Sequence, residues 1–219
     1  MPTVPDADFG WAWYVPASSA FARGGGGGGG VGGGGGYDTT PPESSYVTPP
    51  KPHEEFRMSG DVNCAVSVDG FDVAVADLTF GSSIARELLL QAKRNTVNFV
   101  LMRTNVGARI FPRYDPNTNS LHWDPFSAAT VQDGSGATAG IAPPLLVLAH
   151  ELFHAANPGA GEAAANSSQN QIAAQLNTTF QQIGWNLPTN RGSESGEFFN
   201  VDGAEATTPT IRRPDFDCP

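Results

Sequence analysis

The chain has 219 residues, of which 39% are hydrophobic and 16% charged, with 26 glycines and 18 prolines; that composition fits one domain with part of the chain left outside it. Lys and Arg number 12 against 22 Asp and Glu, a formal net charge of -10, so the basic footprint of a nucleic-acid binder or a protein held to anionic lipid is missing. No apolar run approaches the roughly 18 residues of a membrane span, and Asp6 and Asp8 stand where a secretory signal carries Lys or Arg.

From Gly24 to Gly36 glycine is interrupted only by Val31, and Pro41, Pro42, Pro49, Pro50 and Pro52 follow among Ser, Thr and Glu. Glycine loses much backbone entropy on ordering and proline removes donors, so residues 1–57 are expected to be a disordered region with a poly-Gly linker. Within it Phe9, Trp11, Trp13, Tyr14 and Phe21 form an aromatic cluster that can dock on a partner or on the domain, and His53 is expected to be exposed.

Residues 58–192 are expected to fold and 193–219 to be a tail. Val62, Ala65, Val66 and Val68, then Phe71, Val73 and Val75, flank Asp69-Gly70, which predicts a β-hairpin with a type I′ turn. Ser82 or Ser83 then caps a helix with Ile84, Leu88, Leu89 and Ala92 on one face and Lys93-Arg94 in its last turn. Val97 to Leu101 and Ala108 to Phe111 read as strands, and Asp115-Pro116-Asn117-Thr118-Asn119 as a turn before Leu121, His122 and Trp123. Pro143 and Pro144 open an apolar helix, Leu145 to Ala156, that stops at Asn157-Pro158-Gly159, and a last helix is predicted over about Ser168 to Ile183. The fold class is α+β: a small mixed or antiparallel sheet, a central helix and a following helix. Two cysteines, Cys64 and Cys218, are too few for a disulfide framework and leave one bridge as an option.

The central helix carries His150-Glu151-Leu152-Phe153-His154, an H-E-x-x-H element. Positions four apart lie a turn apart on one helix face, so both imidazoles can bind one zinc ion while Glu151 beside them takes a proton from water. Leu145, Leu148, Leu152 and Ala155 form the opposite stripe and anchor the helix in the core. Catalytic zinc takes a third protein ligand, and a third His six residues past the second is ruled out by Ala160. Glu162 is the nearest acidic residue downstream and the leading candidate; Glu194, Glu197 and Asp202 are the alternatives, and Gln169 and Asn170 suit a supporting role. His122, Tyr114 and Arg191 are candidate donors to an oxyanion.

Around these residues the segment Phe80 to Arg191 resembles the NleD-type zinc metallopeptidases that pathogenic bacteria deliver into host cells by type III secretion. The resemblance is carried by Gly81 to Arg94 with the Val97 to Arg103 strand, by Tyr114-Asp115-Pro116-Asn117 beside the family's Y-D-P-N, and by Pro143 to Ala155 beside its L-A-H-E-L-x-H-A block. It implies a zincin-like domain of the gluzincin type, with His150 and His154 as zinc ligands and Glu151 as catalytic base. Ser168-Gln169-Asn170 resembles the family's T-E-N element with Gln in place of Glu, and Asn190-Arg191-Gly192 supplies its Arg without the Tyr that follows. The resemblance further implies an effector without a cleavable signal peptide, acting in the host cytoplasm on a protein substrate such as a signalling kinase.

The expectation is therefore a monomeric zinc endopeptidase with no nucleic-acid or membrane partner. A second reading is a degenerate, non-enzymatic binding protein that presents its aromatic N-terminal segment; a structural zinc site is a third. The net charge favours encounter with basic substrates.

Overall fold

A computed structural model describes residues 51–104, 110–192, 197–201 and 203–206. The elements run α1 (Pro52–Glu55), β1 (Arg57–Gly60), α2 (Ala65–Gly81), α3 (Ser83–Arg94), β2 (Asn98–Leu101), β3 (Arg113–Asp115), β4 (Ser120–Trp123), β5 (Ser127–Gln132), β6 (Thr138–Ala142), α4 (Pro144–Ala156), α5 (Glu162–Thr179), a 3-10 turn (Gln181–Ile183) and β7 (Phe198–Asn200). This is an α+β arrangement with two small sheets. One has the order β1-β2-β4-β3, with β1, β2 and β4 parallel and β3 antiparallel at the edge; the other is antiparallel, β6-β5-β7.

Helix α4 lies at the centre, touching α2, α3 and α5 and strands β3 to β6. Leu145, Leu146, Leu148 and Leu152 are fully buried there, each contributing about 1.5–3 kcal/mol over an exposed leucine. Trp123 donates its indole N–H to the Pro144 carbonyl at 2.8 Å, tying β4 to the first turn of α4. Beneath it Phe56, Phe71, Phe99 and Trp123 meet edge to face at centroid separations of 5.0–6.1 Å, the geometry that ring quadrupoles favour.

The hairpin predicted over Val62 to Val75 is instead most of helix α2. Its buried residues Phe71, Ala74, Val75 and Leu78 recur at three and four, a helical period that the shorter alternation of Phe71, Val73 and Val75 conceals. Gly70 is not a turn residue: a Cβ there would lie 2.7 Å from Pro125 Cβ, so glycine permits close packing of α2 against the chain before β5. The helix after it forms as expected, with Ser82 as the cap, its hydroxyl accepting the Ala85 N–H at 3.1 Å.

Four further boundaries differ from expectation. Residues 51–57, expected to lie outside the domain, pack on it: His53 is bound to Asp72 through its backbone N–H at 2.8 Å and its ring at 2.7 Å, and so is not a free surface histidine. The strand expected at Ala108 to Phe111 falls partly outside the described residues, and the strand formed is Arg113–Asp115. The last helix starts at Glu162, six residues early, because Gly161 serves as its cap position and three alanines follow. The segment expected to be a tail from 193 contributes β7, whose Phe198, Phe199 and Asn200 pair with Ala129, Ala128 and Ser127.

After β7 the chain returns to the central helix, where the Ala204 carbonyl accepts the Leu145 N–H at 3.1 Å. Beside it Glu205 approaches Asp77 of α2, a fully buried carboxyl group. Burial first, and Glu205 second, push the Asp77 pKa up to about 9. Cys64, before α2, is disulfide-bonded; the chain's second cysteine, Cys218, lies outside the described residues, as do the poly-Gly linker and the aromatic cluster.

Candidate metal centre

Helix α4 presents His150 and His154 on one side, their rings 5.0 Å apart at 70°. The turn from Asn157 to Gly161 reverses the chain, so Glu162, the first residue of α5, faces both rings. His150 Nε2 lies 3.0 Å from one Glu162 oxygen, and His154 Nε2 lies 3.2 Å from the other. The three side chains offer ligand atoms that all lie within 4.8 Å of one another.

These donors fit a metal ion. His154 Nε2 is buried and, despite its approach to Glu162, makes no hydrogen bond, as expected of a lone pair aimed at a shared point. Burial first, and then Arg191, push the His150 pKa down to about 4 against the pull of Glu162, which keeps that imidazole in the neutral form a metal requires. Two imidazole nitrogens and one carboxylate suit a first-row transition metal, with further coordination positions left open. The His150 and His154 side chains are 6% and 17% exposed and Glu162 is 46% exposed, so the group is accessible from the Glu162 side.

Glu151 points between α4 and the edge strand. One of its oxygens accepts the Tyr114 backbone N–H at 2.7 Å, and burial pushes its pKa up to about 8 despite that bond. A carboxyl group raised toward neutrality can take up a proton and release it again. A cavity of about 390 Å³ opens over Glu151, His150, His154 and Glu162, walled by Arg113, Arg191 and Phe198 among others.

Arg191 reaches this cavity although it follows α5 by a long connection. Its guanidinium donates to Gln169 Oε1, its backbone N–H donates to Asn170 Oδ1 at 2.9 Å, and its carbonyl accepts Asn170 Nδ2 at 2.9 Å. Gly192 sets the approach: a Cβ there would overlap the Gly134 backbone, and its N–H bonds Gln132 O at 2.8 Å. Gln169 and Asn170 therefore support Arg191 and stand outside the metal-ligand group, so Gln at position 169 costs the centre no ligand.

Of the expected site residues, His150, Glu151, His154, Glu162 and Arg191 come together. Tyr114 does so by its backbone alone, since its hydroxyl is engaged with Asn119 Oδ1 at 3.0 Å and is not placed as an oxyanion donor. His122, on β4 opposite Arg113, is not part of the cavity wall. Glu197 is exposed and joins the second sheet through its carbonyl, which accepts the Thr130 N–H at 2.8 Å; Glu194 and Asp202 lie outside the described residues.

Pro112, Arg113 and Phe198 of the wall went unseen in the sequence. Arg113 adjoins the Tyr114-Asp115-Pro116-Asn117 block, and only the strand geometry gives it a role. Phe198 arrives on β7 and stacks on Phe111 at 5.2 Å; the short run Phe198-Phe199-Asn200-Val201 was its available signal. No protein-family profile, curated protein or solved structure matches the chain, so the functional reading stands on the geometry above.

Proposed function

We propose that the chain is a zinc-dependent endopeptidase of zincin-like, gluzincin type. The observation that carries this is one carboxylate and two imidazoles converging within 4.8 Å beside the raised, backbone-anchored carboxyl of Glu151. His150, His154 and Glu162 would hold the ion. A zinc ion there supplies Lewis acidity that polarises a peptide carbonyl and acidifies water. Glu151, held in place by the Tyr114 N–H, would accept a proton from water and return it to the leaving amine. Arg191, fixed by Gln169 and Asn170, directs positive charge toward the oxygen that becomes negative as the carbonyl is attacked.

Action on a host protein such as a signalling kinase, after secretion without a cleavable signal, belongs to the same proposal and rests on the resemblance of Pro143 to Ala155 and the neighbouring blocks.

The test pairs zinc content with cleavage of a complex peptide mixture. Wild-type protein is expected to hold about one zinc per chain and to cut peptides; Glu151→Gln is expected to hold the same zinc and cut none. A Glu151→Gln protein that cleaves at the wild-type rate refutes the assignment. Zinc binding without wild-type cleavage selects the non-enzymatic reading instead.

A further inference from the structure

We propose that Arg113 selects the substrate of this site: it receives an Asp or Glu side chain within a few residues of the bond to be cut. The inference rests on the peptidase reading above and adds a substrate class to it. Among the described residues β3 is the edge of its sheet, with β4 its one neighbour. Tyr114 turns its backbone N–H away from β4 and gives it to Glu151. Successive side chains of a strand alternate in face, and the Tyr114 ring packs against the core. Arg113 is therefore thrown outward, exposed, one residue from the backbone that holds the catalytic carboxyl, and it forms part of the cavity wall.

Its charge acts through space on Glu151 and His122, but no carboxylate among the described residues pairs with it directly. The other arginine of the cavity, Arg191, is 8% exposed and bound to Gln169. Arg113 makes no hydrogen bond or ion pair among the described residues. Asp115, two residues along on the same face, is its nearest acid in sequence, but that carboxylate is occupied by the turn that follows, accepting the Asn117 N–H at 2.9 Å. Burial, and then Arg113 itself, lower the pKa of His122 opposite, against the pull of Asp115. An unpaired guanidinium fork at a cavity wall matches a carboxylate in two parallel hydrogen bonds. The net charge of -10 argues for basic substrates only at long range; exposed charges beyond about 10 Å are largely screened at 0.1 M salt, and the local cation decides at contact.

The test uses the zinc-loaded full chain and a chymotryptic digest of a cell proteome with blocked amines, reading new N-termini by mass spectrometry. Wild type is expected to enrich Asp and Glu at one position near the cut bond. Resynthesis of the best peptide with Asp, Ala or Lys there should give kcat/KM about tenfold higher for Asp than for Ala, the yield of one charged hydrogen-bonded contact, and lowest for Lys. Arg113→Ala should remove the preference and Arg113→Glu should invert it toward Lys, with zinc content unchanged in both. The same preference in all three proteins, or none in wild type, overturns the role of Arg113 while leaving the peptidase reading intact. No cleavage of any peptide by the zinc-loaded wild type overturns that reading, and this inference with it.

Discussion

The buried carboxyl of Asp77 makes stability depend on pH in a direction that can be worked out beforehand. Its folded pKa, about 9, lies far above the ordinary 3.8, so the native state keeps a proton there that the unfolded chain loses above about pH 4. That contribution is fully present below the unfolded pKa and is lost as pH rises toward the folded one. Each pH unit in this window removes about 1.4 kcal/mol of stability. The roughly three units between the ordinary value and neutrality therefore cost about 4 kcal/mol at pH 7, which acts as an upper figure because the unfolded chain and Glu205 share the adjustment. Asp77→Asn keeps the shape and a donor toward Glu205 but has no proton to lose. Urea unfolding followed by tryptophan fluorescence, at pH 5, 6, 7 and 8, should give a variant that gains on wild type with each unit of pH, by about 1 kcal/mol per unit. Comparing the two proteins cancels other titrating groups, including Glu151 and His150. A difference that stays constant across the four pH values would refute the reasoning, because Asp77 would then be ionised, or share its environment with water, in the native state.

Glu162→Ala and His154→Ala should each reduce bound zinc from about one per chain to near none after dialysis, whereas Gln169→Ala should retain it; elemental analysis separates a ligand from the residue that supports Arg191. Arg191→Ala should lower kcat by about 10²–10³ with zinc content unchanged, and Gln169→Ala should lower kcat by less than Arg191→Ala, also with zinc content unchanged. Phe71→Ala, at the meeting point of three other aromatic rings, should destabilise by about 3–5 kcal/mol in the same urea assay, against well under 1 kcal/mol for an exposed change such as Glu87→Ala.

The sequence made the central helix legible because its markers are local: Pro143-Pro144 start it, Asn157-Pro158-Gly159 stop it, and the His150-Glu151-His154 spacing fixes which side chains share a face. Glu162 was legible for a related reason, being the nearest acid after a tight reversal. Two kinds of information were not. The helix from Ala65 to Gly81 contains an alternating stretch and an Asp-Gly pair, and only the packing of Gly70 on Pro125 explains that pair. Long-range placement was also hidden: nothing at Arg191 indicates that Gln169 and Asn170 will grip it, and nothing at Phe198 indicates that it pairs with Ala129. Tyr114 shows the remaining limit. Its importance was visible as a residue type, yet its contribution to the cavity comes from a backbone N–H, which every residue but proline possesses.

His150, His154 and Glu162 all come from one helical hairpin, α4 and α5 joined through Asn157 to Gly161. Bringing the ligands together thus closes only a short loop, and the entropy of loop closure grows with length. The parallel strands β1, β2 and β4 need long crossovers and assemble through contacts of much greater sequence separation. Metal capture is for that reason separable from completion of the fold: an ion can stabilise the hairpin as a local unit while the sheets are still pairing, and added zinc should speed refolding as well as raise final stability.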